Sequence, residues 1–233
     1  TLLQDGPSTY QAMFAAIRSA RDHINMETYI LEDDETGARF AQALMDKQRQ
    51  GVQVNLITDA VGTLGTAPEF FERLKNAGIQ LVVYNPINPL EASAGWDVNQ
   101  RDHRKLLIVD GRTAFLGGIN ISSVYSGGSL SRSRPAPVRP ADDGAKKSKH
   151  DGTPWRDTDL QLDGPIVAQL QKLFIETWNA QKGPELAQRR YFPKLSEQGP
   201  EVVHAIAGSP DEPYSLIYAT LISAIQSAQK EVL

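Results

Sequence analysis

The residues best suited to chemistry lie in one run, Arg101-Asp-His-Arg-Lys-Leu-Leu-Ile-Val-Asp-Gly-Arg-Thr-Ala-Phe-Leu-Gly-Gly-Ile-Asn120. It combines an imidazole (His103), an ammonium (Lys105) and an amide (Asn120) with the glycine pair Gly117-Gly118. Imidazole is available as a neutral nucleophile near pH 7, while an ammonium and an amide can hold anionic oxygens. Together they form an inventory for gripping and attacking a phosphate. The run reads as two short strands joined at Asp110-Gly111, a dipeptide that favours a tight turn. Side chains alternate across a strand, so His103, Lys105, Leu107 and Val109 are expected on one face. A two-residue turn at Asp110-Gly111 or at Gly111-Arg112 adds Gly118 and Asn120 to that face. Gly118 then lets a ligand approach the backbone closely. The same parity points Asp110 away, as a residue that shapes the turn.

These residues match His-x-Lys-x4-Asp followed by Gly-Gly-x-Asn, and in this the run resembles the signature of the phospholipase D superfamily. Gly118 stands where that superfamily often carries a serine. Further strings look like bacterial cardiolipin synthases: Glu27-Thr-Tyr-Ile-Leu-Glu-Asp-Asp-Glu-Thr-Gly37, Gly51-Val-Gln-Val-Asn-Leu-Ile-Thr-Asp-Ala-Val-Gly62 and Trp155-Arg-Asp-Thr-Asp-Leu-Gln-Leu-Asp-Gly-Pro165. The resemblance implies an α/β/α sandwich whose mixed, largely parallel sheet is flanked by helices. It implies an active site built from two such motifs, supplied by two lobes of one chain or by a homodimer. His103 would be one of the paired imidazoles, as nucleophile forming a phosphohistidine or as acid/base. Lys105 and Asn120 would hold the non-bridging oxygens. Asp110 belongs to the motif, although parity makes it a turn residue. Asp157, opening the next strand, is the carboxylate expected to orient an imidazole. Glu27 and Tyr29 share a strand face and are expected to line the substrate cup with Gly118. The charge-stabilising groups are side chains, so the reading calls for no metal and no cofactor.

The elements that must position these groups follow from periodicity. Helices are expected over Ser8–Arg21 with Ser8 as N-cap, over Thr36–Gln50, over Ala67–Asn76, and from about Pro165 to Gln181. Strands are expected over His23–Leu31, Val52–Ile57, Ile79–Tyr84 and Thr158–Leu162. Strands alternating with helices argue for βαβ units and an α/β fold. Residues 126–154 lose apolar periodicity and read as a flexible insertion. Residues 183–200, rich in Gly, Pro and charge, read as a connector. Ala16-Ile-Arg-Ser-Ala-Arg-Asp-His-Ile24 is echoed by Ala224-Ile-Gln-Ser-Ala-Gln-Lys-Glu-Val232, an internal repeat. The expected organisation is a first lobe over 1–182, the connector, and the opening of a second, truncated lobe over 201–233.

At 233 residues, with 40% hydrophobic and 22% charged residues, the chain can build a full core. Its net charge of −4 argues against a dedicated nucleic-acid binder. The absence of cysteine excludes disulfides and thiolate metal sites. The function implied is phosphatidyl transfer between phospholipids, with a phosphatidylglycerol-like substrate at an anionic bacterial membrane, by a peripheral or anchored protein. A phosphodiesterase or nuclease would use the same hairpin, and a binding module would result from loss of the second motif.

Overall fold

The computed structural model describes residues 1–87, 101–127, 155–208 and 215–232. The expected 126–154 insertion therefore lies, but for its first two residues, outside the described residues. Strand β1 (Leu2–Leu3) leads into helix α1 (Gly6–Ser19), whose N-cap is Asp5 rather than Ser8. The Asp5 carboxylate accepts from Ser8 N at 3.0 Å, so Ser8 closes a capping box from inside the first turn. Pro7, with its fixed φ, suits that first turn and explains why the helix starts earlier than periodicity suggested. Then follow β2 (His23–Thr28), α2 (Glu35–Arg49), β3 (Gln53–Asp59), α3 (Pro68–Asn76) and β4 (Gln80–Tyr84). The candidate hairpin is β5 (Leu106–Val109) and β6 (Thr113–Gly117), after which come β7 (Asp159–Asp163), α4 (Ile166–Ala180) and α5 (Leu216–Ser227).

The strands form one mixed sheet in the order β1-β7-β6-β5-β2-β3-β4. Only β2, β3 and β4 run parallel, joined through α2 and α3. The pairings β2·β5, β5·β6, β6·β7 and β1·β7 are antiparallel, which corrects the expectation of a largely parallel sheet. The physical reason is connection length. A parallel crossover needs a helix, whereas β5 and β6 are joined by a tight turn.

Each face of the sheet has its own apolar layer. Ile24, Met26, Val54, Leu56, Leu107 and Phe115 pack with α1, α2 and α3 through Ile17, Phe40, Leu44 and Phe70. On the opposite face Ile57, Leu106, Ile108 and Ala114 pack with Val167, Leu170, Phe174 and Trp178 of α4. That second face also carries a buried polar row. Asn55 Nδ2 donates to Asn25 Oδ1 at 2.7 Å, and the His23 ring hydrogen-bonds Gln171 of α4 at 3.3 Å. These bonds offset part of the cost of burying the row, since a buried group left unpaired costs roughly 1–3 kcal/mol.

Cover for this row comes partly from the stretch expected as a connector. Tyr191 lays its ring 4.5 Å from that of His23, Arg190 N donates to Asp22 at 2.8 Å, and Leu186, Leu195 and Ala205 join the α4 layer. Parts of 183–205 thus pack against the sheet and α4. Helix α5 is the opposite case: Leu216, Tyr218, Leu221 and Ile225 are each more than half exposed, and none of its residues is buried.

Candidate active site

The hairpin turn differs from expectation, with consequences for the site. Asp110 and Gly111 both have positive φ, of 53° and 62°, and Arg112 N donates to Val109 O at 3.0 Å. Val109 nevertheless pairs with Thr113, so three residues separate the paired ends. This register pairs Leu107 with Phe115 and would put odd-numbered residues of β6 on the face of Lys105, overturning the parity argument for Gly118 and Asn120. β6 ends at Gly117, so Gly118 and Asn120 lie beyond the strand, where its alternation no longer sets their direction. Likewise β5 begins only at Leu106, so His103 and Lys105 stand on an irregular segment before it.

That segment is anchored from below. Asp59, at the end of β3, is buried; its carboxylate accepts from Val61 N and Gly62 N with one oxygen and from Asp102 N with the other, at 3.1 Å. His103 then emerges exposed, while Lys105 is only 4% exposed. Lys105 Nζ lies 3.0 Å from His103 Nδ1 and donates to His103 O at 2.6 Å. An ammonium can only donate, so in this arrangement a neutral His103 carries its proton on Nε2. Burial pushes the imidazole below its ordinary pKa, and the Lys105 charge adds to the effect. Burial also pulls Lys105 down, to about 8, against the attraction of Asp102, Asp157, Asp159 and Asp59. Tyr29 closes one side, its ring 4.5 Å from the His103 ring and 5.3 Å from Lys105 Nζ.

Asn120 is 2% exposed, and its amide is largely committed to the protein. Its oxygen accepts from Ile30 N at 3.0 Å, fixing the residue after Tyr29, and its nitrogen donates to the Tyr125 hydroxyl at 2.9 Å. The amide has a second hydrogen, the one this bond leaves over. Asp157 is exposed; its carboxylate accepts from Thr158 N and lies against Gly118. A Cβ on Gly118 would sit 2.1 Å from an Asp157 oxygen, so glycine is what allows this approach. Asp157 makes no hydrogen bond to His103 here. Glu27 does not line the cup either. It is 1% exposed on the α4 side of β2, beneath Arg104 and Asp102, because its neighbours in register, Ile57 and Leu106, belong to that core.

Asp110 lies at the far end of β5. Its carboxylate accepts from the backbone N–H of Arg21, Asp22 and His23 at 2.8 to 3.2 Å, tying the α1–β2 connection to the hairpin. Asp159 is the residue that the sequence reading missed. It is 1% exposed, pairs with Gly117, and accepts from Ile119 N at 3.2 Å. Burial raises it to about 7, with Asp157 adding to the rise and Lys105 opposing it. The available signal was its place, two residues after Asp157 on the strand that borders the glycine pair.

Residues 13–126 match the family model described as cardiolipin synthase, phospholipase D-like domain. The chain is 32% identical over 234 aligned positions to the cardiolipin synthase of Geobacillus kaustophilus, an alignment covering 99% of this chain and 42% of that protein. It is 31% identical to cardiolipin synthase 2 of Bacillus anthracis, covering 99% and 41%. The chain thus spans less than half the length of these curated relatives. Among solved structures it is similar to Nuc of Salmonella typhimurium, a phospholipase D family member, with a TM-score of 0.51, 17% identity, and coverage of 81% of this chain and 97% of that one. It is also similar to phosphatidylserine synthase of Haemophilus influenzae, with a TM-score of 0.50 and 17% identity, covering 76% of this chain and 35% of that one.

Proposed function

The chain belongs to the phospholipase D superfamily, in its cardiolipin synthase branch, and from that premise we propose that it is one catalytic lobe of a phosphatidyltransferase. The observation that carries the reading is an exposed imidazole held next to a buried ammonium, His103 beside Lys105. The reaction runs in two displacements. An imidazole nitrogen attacks phosphorus of a phosphatidylglycerol-like donor, a P–N bond forms, the P–O bond to the headgroup breaks, and the departing alkoxide takes a proton from the second imidazole. A hydroxyl of the acceptor lipid then returns its proton to that imidazole while its oxygen attacks phosphorus and the P–N bond breaks.

His103 is one of the two imidazoles. The other comes from a second motif, on a further lobe or on a second copy of the chain. Lys105 holds a non-bridging oxygen, and the second amide hydrogen of Asn120 is the one available to another. An arriving phosphate draws Lys105 off His103 Nδ1, which frees that nitrogen to take the proton and leaves Nε2 as the attacking atom. In this reading Asp157 is the carboxylate that accepts the Nδ1–H and orients the ring. Helix α5 supports the two-lobe arrangement: in sequence it repeats the pattern of α1, with Tyr218 and Leu221 corresponding to Tyr10 and Met13, yet Tyr218 and Leu221 are more than half exposed. The protein works at an anionic membrane surface, peripherally or through an anchor; among the described residues no helix is long and apolar enough to cross a membrane.

The test is incubation of the two-motif protein with phosphatidylglycerol vesicles and identification of products by mass spectrometry. The expected products are cardiolipin and glycerol. Cleavage of a nucleic acid with no lipid product would replace this reading with that of a nuclease.

A further inference from the structure

Glu27 lies beneath the site, in surroundings where an ionised carboxylate is poorly supported. It is 1% exposed, between Ile57 of β3 and Leu106 of β5, under the α4 layer. No N–H or O–H of the described residues forms a hydrogen bond to either of its oxygens. Arg104 Nε stays 3.5 Å from Glu27 Oε1 and is closer to Asp102 Oδ1, at 3.2 Å. The Asp102 carboxyl group shares Arg104 Nε with Glu27, which brings the two acids together. Two carboxylates are both acceptors, so a bond between them requires that one carry a proton. Asp102 is the member already supplied with donors, since its Oδ1 also accepts from Arg104 N at 3.1 Å. Tyr84 is the other titratable group whose charge bears on Arg104, and Thr177 of α4 receives a bond from Arg104 Nη1 at 2.9 Å.

We infer that Glu27 is a neutral carboxylic acid at pH 7 that donates its proton to Asp102, and that it thereby acts as a positioning residue for His103. Asp102 is then held through its backbone N–H by Asp59, through its side chain by Arg104, and by the Glu27 O–H. It immediately precedes His103, so this clamp sets the direction in which the imidazole leaves the chain. Neutrality matters as well as geometry. A second ionised carboxylate at this place would oppose the arrival of a phosphate. Burial, the largest influence, and Asp102 push the Glu27 pKa well above the ordinary carboxylate value, while Arg104 opposes them.

The first experiment uses this chain alone and does not depend on its activity. An infrared difference spectrum at pH 7 between the wild type and Glu27→Gln is expected to show the C=O stretch of a protonated carboxyl group, sensitive to deuterium exchange. Absence of that band in a folded wild type overturns the inference. The second uses the active two-motif protein and rests on the proposed transfer reaction. Glu27→Leu, which removes the donor, should lower kcat by roughly 10- to 100-fold with little change in KM, as expected for a misplaced reacting group. Glu27→Gln, whose amide also donates, should restore kcat to within about 3-fold of wild type. Equal losses in the leucine and glutamine variants overturn the positioning role. If no lipid transfer is seen but the infrared band is present, the reaction assignment fails while the neutral acid stands.

Discussion

The two ends of the β5–β6 hairpin carry residues of a single sequence motif, yet they solve opposite physical problems. At the Asp110 end the carboxylate is fully engaged: it satisfies three backbone N–H groups, and the αL conformations of Asp110 and Gly111 close the turn. At the His103 end the chain has left the sheet and the polar groups are held in reserve. Lys105 rests on His103 and has a pKa pulled down to about 8, and Asp159 is pushed up to about 7. Saturated hydrogen bonding marks the scaffold. Groups brought together without full compensation mark the chemistry. Spacing in the sequence does not distinguish the two, because motif membership records both.

The sharpest way to break this comparison is to remove each end in turn. In the two-motif protein, His103→Ala should lower phosphatidyl transfer by about 10³-fold or more, with an unchanged melting temperature, because its side chain is exposed. Lys105→Ala should cost roughly 10²-fold in kcat, comparable to loss of one oxyanion donor. The wild-type rate should fall as pH rises through about 8, where the ammonium that holds the phosphate loses its proton. A pH–rate profile of kcat checks this, and an alkaline limb that persists unchanged in Lys105→Arg would contradict it.

Asp159 sharpens the comparison through stability rather than rate. Its folded pKa is raised, so the stability it contributes is fully present below the unfolded value near 4 and is lost as pH rises through about 7. Asp159→Asn removes that dependence. The variant should gain on the wild type, by an amount on the order of a few kcal/mol, between pH 4 and pH 7. Urea unfolding at both pH values reads it. At the scaffold end, Asp110→Ala should lower stability by about 1–3 kcal/mol through its orphaned backbone donors. Its kcat per folded molecule should stay within about 2-fold.

Much of the fold was legible because it rests on strong local signals. The helices and strands from Tyr10 to Tyr84 follow apolar periodicity, and their observed ends lie within a few residues of expectation. The site was legible in its membership more than in its geometry. Asp110-Gly111 announced a turn, but not the extra residue that shifts the register, since that is settled by pairing across the whole sheet. Glu27 was expected to share a strand face with Tyr29, but β2 ends at Thr28, and burial of Glu27 on the α4 side is a tertiary fact. The packing of 183–205 was invisible for a similar reason: Arg190, Tyr191 and Leu195 contact the lobe singly, without a period. Asp159 looked like any strand-opening acid until its pairing with Gly117 placed it beside the glycine turn.

The central claim is that phosphate belongs to one end of the hairpin and not the other, and this chain alone can test it. Inorganic phosphate should be titrated into the isotope-labelled protein at pH 7 while the His103 ring, the Lys105 ammonium and the Gly118 and Ile119 amides are followed by NMR. The account predicts saturable shifts at these groups, with the Arg21, Asp22 and His23 amides that bond to Asp110 left in place. Shifts confined to the Asp110 end, or a His103 ring that does not respond while phosphate binds elsewhere, would contradict it.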